Sequence, residues 1–235
     1  MGCHARLTVA ATLVRDGVRV VDVGTDHAYL PVQLVREGKC PSAIACDLRQ
    51  GPLDNARKHV EEAGLSDRIE LRLGNGLAPI EPEEAEDICI CGMGGELIAE
   101  ILDAARWVQD PGKHLVLQPM TAADDLRRYL TENGFSVDRE ELVRDAGRLY
   151  TMLSVTWTGE KRAYPEAYWW AGTVSVRQPL GEEYLRRQLS RVEKQIASLA
   201  QAADPERRAA RDGLRSVAEE LRRRLADQEG CSCSE

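Results

Sequence analysis

Aromatic side chains are scarce in this chain of 235 residues: one Phe, four Trp and six Tyr make up 5% of it. Leu, Val, Ile and Ala must therefore build most of the core, and the length suffices for one sizeable core plus a small appendage. No apolar run reaches the roughly 18 residues of a membrane-spanning helix. The opening MGCHARLTVAATLV has no basic leader ahead of a long apolar block, so no secretory signal is expected. Arg6 stands where an N-myristoylation start would need Ser or Thr. The expectation is a cytoplasmic protein with no membrane partner. Zinc-type cysteine spacing is missing too. The seven cysteines (Cys3, Cys40, Cys46, Cys89, Cys91, Cys231 and Cys233) are odd in number and include no C-x-x-C pair, so no metal site is expected. Cys46, Cys89 and Cys91 lie in apolar strand-like runs, where a free thiol acts as a small hydrophobe. Cys231 and Cys233 fall in a tail expected to fray.

Positive charge is short as well, with a net charge of -8. The deficit is uneven. From Lys161 onward there are 14 basic and 12 acidic residues, whereas the part ahead of Lys161 holds 17 basic and 27 acidic. An acidic domain of that size argues against a polyanionic partner, although a local basic patch would escape a net count.

What is present is alternation. Val18–Val23, Ser42–Cys46, Ile69–Leu73, Asp87–Cys91 and Leu115–Gln118 read as strands. Helical patterns over Ala28–Glu37, Gly51–Ala63, Glu96–Arg106 and Asp124–Asn133 are interleaved with them. Strand–helix alternation predicts a parallel sheet covered on both faces. Two further runs, Phe135–Val143 and Leu149–Trp157, flank the short loop Arg144–Arg148 and predict a terminal antiparallel pair. That is the pattern of Rossmann-like methyltransferases.

The stretch Gly159–Pro179 interrupts the pattern with Pro165, Gly172 and Pro179, and holds Tyr164, Tyr168, Trp169 and Trp170. It reads as a connection whose rings either stack on a base or pack the helices that follow. From Glu182 the chain turns helical, with Leu185, Leu189, Val192, Ile196 and Leu199 at a/d spacing. Asp204-Pro205 supplies an N-cap and a first-turn proline. Ala210, Leu214, Val217, Leu221 and Leu225 then repeat the seam, which predicts an antiparallel helical, coiled-coil hairpin. The arginines around it, among them Arg186, Arg187, Arg191, Arg207, Arg208, Arg211 and Arg215, suit either a solvated face or a nucleic-acid contact. The expected division is 1–159 catalytic domain, 160–181 connection, 182–228 hairpin and 229–235 flexible tail.

The chemistry-bearing residues follow the strands. The first strand runs into Asp22-Val23-Gly24-Thr25-Asp26-His27-Ala28-Tyr29. A glycine turn between strand and helix is where open α/β sheets bind ligands. The turn is not G-x-G-x-x-G, and it places acid at Asp26 where a pyrophosphate would sit. Carboxylates there repel phosphates but suit a ligand carrying an ammonium and a sulfonium, such as S-adenosyl-L-methionine. Asp26 can equally be a helix N-cap. Asp47, with Leu48 beside it, follows the second strand, where a carboxylate accepts from two ribose hydroxyls. Asn75-Gly76 follows the third; its amide suits an adenine edge, or it is a plain Asn-Gly turn. Cys91-Gly92-Met93-Gly94-Gly95 follows the fourth, with more glycine than one turn needs. Gln118-Pro119-Met120 closes the fifth.

Taken in order, G-T-D-H-A-Y-L-P, D-L-R-Q-G-P-L, L-G-N-G-L, C-G-M-G-G and L-Q-P resemble the bacterial tRNA (adenine-22-N1)-methyltransferase family, TrmK. The resemblance extends over nearly the whole chain, including the E-x-x-x-x-x-G-R-L-Y stretch ending at Tyr150 and the C-terminal hairpin. It implies an α/β class I methyltransferase fold, S-adenosyl-L-methionine as donor, adenine N1 in the tRNA D-arm region as acceptor, and a hairpin that helps hold tRNA. It departs at Met120, where relatives usually carry Asn, and at Asn75, where many carry Asp. The expected donor-binding set is Asp22, Gly24, Thr25, Asp26, His27, Asp47, Leu48, Asn75, Gly76, Gly92, Met93 and Gly94. Asp26, Tyr29 and Met93 are the candidate catalytic residues; Tyr29 either stacks on the base or packs in the core. A monomer is expected. The alternatives are a methyltransferase for a small molecule or another RNA site, and a non-catalytic scaffold.

Overall fold

The computed structural model describes residues 5–199 and 204–227. The expected tail, with Cys231 and Cys233, lies outside them, as does Cys3. The chain forms two compact units, Met1–Arg162 and Ala163–Glu235.

The first unit is a seven-stranded sheet. Strands β1 (Val20–Val23), β2 (Ala43–Asp47), β3 (Ile69–Leu73), β4 (Asp87–Met93) and β5 (His114–Pro119) are parallel, and β6 (Phe135–Asp145) and β7 (Arg148–Trp157) complete it. The order is β3-β2-β1-β4-β5-β7-β6, with β7 antiparallel to both its neighbours. The strand order therefore reverses between β1 and β4, the switch point at which doubly wound sheets hold ligands.

Helices cover both faces, and the strands alternate accordingly. Val20, Ala43, Ala45, Cys89 and Val116 face the core that contains residues of α1 (Ala5–Leu13), α2 (Tyr29–Arg36) and α3 (Gln50–Glu62). Val21, Val23, Ile44, Ile88, Ile90 and Leu117 face the core that contains residues of α4 (Gly95–Ala104) and α5 (Ala123–Glu132). Successive side chains on a strand point to opposite faces, so a strand buried on both sides reads as an unbroken apolar run. Cys40, Cys46 and Cys89 are buried, and burial pushes the thiol of Cys40 up to about 11, so they pack as apolar groups.

Helix α1 carries no sequence signal of its own. Thr8, Val9 and Thr12 are weak helix formers; the helix instead draws on burial of Ala10, Ala11 and Leu13 and on packing against α2 and β6. Strand β4 runs two residues past its expected end, with a register shift between Cys91 and Met93. Two buried polar clusters brace the sheet. Arg127 of α5 pairs with Glu140 of β6, which also accepts from Thr151 Oγ1 at 2.7 Å. His114 bridges Asp87 (3.1 Å) and Ser154 Oγ (2.8 Å), and Arg15 Nε donates to Asp87 at 2.6 Å.

The second unit holds α6 (Glu166–Ala171), α7 (Gly181–Ser198) and α8 (Pro205–Ala226). Within the expected connection, α6 is an ordered helix packed on α7 and α8. Tyr164 stacks on Tyr168 at 3.9 Å, Trp169 meets Tyr168 edge-on at 5.3 Å, and Arg191 lies over Trp170 at 5.3 Å. Tyr168, Trp169 and Trp170 are buried, which removes them as exposed platforms for a base. In α7 and α8, Leu185, Val192, Val217 and Leu221 are buried, Leu189, Ile196, Leu214 and Leu225 are half-buried, and Ala210 is exposed. Asp204 caps α8, accepting from Glu206 N at 2.9 Å, with Pro205 in the first turn.

Candidate active site

Parallel pairing brings the ends of β1 to β5 to one edge. Val23 is level with Cys46 and Ile90, Asp47 with Leu73, and Cys91 with Gln118. The loops carrying Gly24, Asp47, Asn75, Gly92 and Met120 therefore share one rim. Large exposed hydrophobics on the described residues are Tyr29, Leu48, Leu73, Leu97 and Met120, between 36% and 64% exposed. Each lies at the C-terminal end of, or just after, a different one of the five parallel strands. A ring of apolar side chains left in water at a ligand-binding edge marks a surface that a partly apolar ligand covers.

The turn after β1 is strained and tied to β2. Gly24 N and Thr25 N both donate to Cys46 O, at 2.8 and 3.0 Å. Gly24 has φ +76°, and a methyl on it would lie 2.3 Å from Met93 Cε, so this glycine lets the β1 turn and the β4 loop touch. Asp26 (φ 46°) and Ala28 (φ 53°) are also left-handed, a conformation that costs about 1–3 kcal/mol per residue and gathers at functional sites. Asp22 is buried beneath the turn and accepts from Thr25 Oγ1 at 2.7 Å. Burial raises its carboxyl from 3.8 to about 6, against the Thr25 hydrogen bond and with help from the charge of Asp47.

Asp26 is not an N-cap. The cap of α2 is Ala28, with no side-chain hydrogen bond, and the Asp26 side chain is 66% exposed at the rim, 3.7 Å from His27 Nε2. Tyr29 is exposed rather than a core residue. Its ring stacks on His27 at 5.2 Å and meets His59 of α3 edge-on at 4.9 Å. His59, absent from the expected set, also bonds His27 O through Nδ1 at 2.9 Å.

Asp47 is buried at the end of β2, where Oδ1 accepts from Arg49 N at 2.9 Å; Leu48 beside it is exposed. Asn75 and Gly76 do form a turn, with Asn75 O accepting from Ala78 N at 3.1 Å and Gly76 at φ 57°. The Asn75 side chain is nevertheless exposed, and both residues line a cleft of about 440 Å³ that Leu97 and Ile101 of α4 also line.

The run of glycines after β4 divides its work. A methyl on Gly95 would lie 2.1 Å from Ala122 O, so this glycine lets α4 start against the β5 loop. Gly92, Met93 and Gly94 form the mouth, and Met93 O accepts from Met120 N at 2.7 Å. Arg6, which belongs to none of the sequence motifs, reaches this mouth from α1: its Nη1 lies 3.0 Å from Gln118 Oε1 and 3.3 Å from Met120 Sδ. Only its place just ahead of the first strand could have drawn attention to it.

A doubly wound sheet ending in an antiparallel pair, with a carboxylate-bearing glycine turn and an acid after β2, defines the class I methyltransferases. Comparison agrees: a family described as "Methyltransferase domain" matches residues 3–153. The Bacillus subtilis tRNA (adenine(22)-N(1))-methyltransferase is 37% identical over 148 residues, which cover 63% of this chain and 62% of that protein. A solved Streptococcus pneumoniae structure, described as a candidate tRNA (m1A22) methyltransferase, shares 33% identity. It covers 95% of this chain and 99% of its own, with a TM-score of 0.81. A second solved structure of that protein contains S-adenosyl-L-methionine. The B. subtilis M1A22 tRNA methyltransferase TrmK superposes with a TM-score of 0.83 at 28% identity, covering 95% of this chain and 98% of its own. The chain belongs to this family of bacterial tRNA (adenine(22)-N(1))-methyltransferases.

Proposed function

We propose that this protein transfers a methyl group from S-adenosyl-L-methionine to N1 of adenine 22 in the D-arm region of tRNA, acting as a cytoplasmic monomer without a metal. The observation that carries the reading is the rim, where each of the five parallel strands has one exposed apolar side chain at its C-terminal end or shortly after it, on the same edge as Asp26 and Asp47. These residues fit the donor. Gly24 clears the turn, Asp47 offers a buried carboxylate, and acidic groups stand where a dinucleotide would need phosphate donors. The donor supplies an electrophilic methyl on a sulfonium. We assign Asp47 to the ribose hydroxyls and Asn75 to the adenine edge. Gly24, Thr25, Leu48, Gly76 and Gly92–Gly94 frame the pocket, and Asp22 and His27 brace the turn.

The acceptor adenine must leave its stack to reach such a rim. Its neutral N1 is already a nucleophile, so the protein's main contributions are positioning and exclusion of water. Asp26, exposed at the mouth, stabilises positive charge developing on the base and can accept a proton from the exocyclic amine. Tyr29 offers a ring for the base to stack on, and Met93 lines the mouth beside Gly24.

The decisive experiment incubates the protein and donor with an unmodified tRNA transcript, followed by digestion and nucleoside analysis. The expected product is 1-methyladenosine, lost when adenine 22 is replaced. The acidic stretch ahead of Lys161 favours a second reading, a small-molecule acceptor. Absence of methyl in the tRNA, together with absence of tRNA binding at low salt, would establish that alternative over ours.

A further inference from the structure

Arg6 lies outside every rim motif, yet it joins four strands. Its Nε donates to Asp145 Oδ2 of β6 at 2.8 Å, and its guanidinium lies over the Tyr150 ring of β7 at 5.1 Å. Its Nη1 donates to Gln118 Oε1 of β5 at 3.0 Å. That same oxygen accepts from Gly92 N of β4 at 3.1 Å, and Gln118 Nε2 donates to Pro119 O at 2.9 Å. Gln118 is fully buried.

This arrangement fixes which way the Gln118 amide points. With its oxygen and nitrogen exchanged, its NH2 would face two other donors, Gly92 N–H and the guanidinium, and leave a buried amide unsatisfied. Gly92 sits at φ +85° in the register shift between Cys91 and Met93, so the Gln118 oxygen takes the N–H where the strand ladder is irregular. Met93, the next residue, reaches the Gly24 turn with its side chain and bonds Met120 N with its carbonyl. Displacement of Gly92 therefore shifts both sides of the mouth.

We propose that Arg6 is a positioning residue for methyl transfer: it locks the Gln118 amide so that Gly92 N–H is held, and the Gly92–Gly94 loop with it. Asp145 and Tyr150 hold the guanidinium in place, which gives the E-x-x-x-x-x-G-R-L-Y stretch a task at the site. The proposal rests on reading the rim as the methyl-transfer site. Arg6 and Asp145 keep partial access to water, at 23% and 13% exposure, and Gln118 Oε1 retains the Gly92 N–H donor without the guanidinium, so variants at Arg6 are expected to fold at some cost in stability, which is why Tm is read alongside kcat.

The test compares wild type with Arg6→Ala and Arg6→Lys in the intact chain. Arg6→Ala should lower kcat on tRNA by about 10- to 100-fold. Donor affinity by calorimetry should stay within about threefold, and added guanidinium at non-denaturing concentration should restore part of the turnover. Arg6→Lys should fall between, because one ammonium cannot serve Gln118 and Asp145 as a planar fork does. A kcat at the wild-type level, or one that falls in step with Tm and donor affinity, overturns the proposal. Should wild type itself methylate no tRNA, the functional reading has failed, and the Gly92 amide decides separately. Its hydrogen exchange should quicken about tenfold or more in Arg6→Ala while α4 amides hold, and an unchanged rate refutes the role of Arg6.

Discussion

Single residues at the rim carry opposite demands. Asp26 is exposed, in a left-handed backbone, beside His27; Asp22 is buried four residues earlier under the same turn. The exposed acid stands open at the mouth, and the buried one lies beneath the turn. Asp26→Asn should therefore reduce turnover on tRNA by about 100-fold or more while donor affinity changes little, because general acid–base and charge-stabilising groups contribute that much. Equal losses in both would make Asp26 a donor ligand only. Asp22 instead sets a pH dependence. Its carboxyl is raised from 3.8 to about 6, mainly by burial, so between those values the folded chain holds a proton that the unfolded chain has released. Stability should fall as pH rises from about 4 to about 6, by on the order of 3 kcal/mol if the shift is fully expressed. Asp22→Asn should flatten the difference in denaturation free energy across that window. Parallel wild-type and variant curves would refute the assignment.

At the scale of elements, α5 is held to the β6–β7 pair by a buried charge. Arg127 and Glu140 are almost wholly enclosed, and Thr151 completes the carboxylate. Removing one partner strands the other, so Glu140→Ala should cost about 3–5 kcal/mol in urea denaturation, whereas Arg127→Leu with Glu140→Leu should cost far less. A loss of under about 1 kcal/mol in the single variant would show that water reaches the site. The same elements show what pattern reading can reach. β1, β2, β4 and β5 were legible because they are buried on both faces and read as largely apolar runs, and the edge strand β3 because Ile69, Leu71 and Leu73 alternate with Glu70 and Arg72. The N-terminus of α8 was legible because Asp204-Pro205 is a local signal. Helix α1 was not, since its Thr and Val residues lack helix preference and packing alone maintains it. Helix α6 was not, since Tyr168, Trp169 and Trp170 read the same whether buried or exposed.

Across the whole molecule, charge sets the terms for an RNA partner. The chain ahead of Lys161 carries ten more acids than bases, and the remainder two more bases than acids. Binding to tRNA should accordingly weaken steeply with salt and rely on the arginines of α7 and α8. Replacing Arg207, Arg208 and Arg215 with Gln should weaken tRNA binding and flatten the salt slope by about 0.7–0.9 for each phosphate no longer neutralised, with donor affinity unchanged. An unaltered slope would place the RNA-binding surface elsewhere.

The sequence by itself determined the alternation of strands and helices, the glycine turn after β1, the acid after β2 and the order of motifs that mark the family. These are encoded within a few neighbouring residues, through side-chain periodicity and turn chemistry. Only the tertiary structure decided that Arg6 meets Gln118 and Asp145, 112 and 139 residues away, that five exposed apolar side chains gather on one edge, and that Asp22 is buried, which raises its carboxyl. Those outcomes depend on which surfaces meet and exclude water, and no local stretch of chain carries that information.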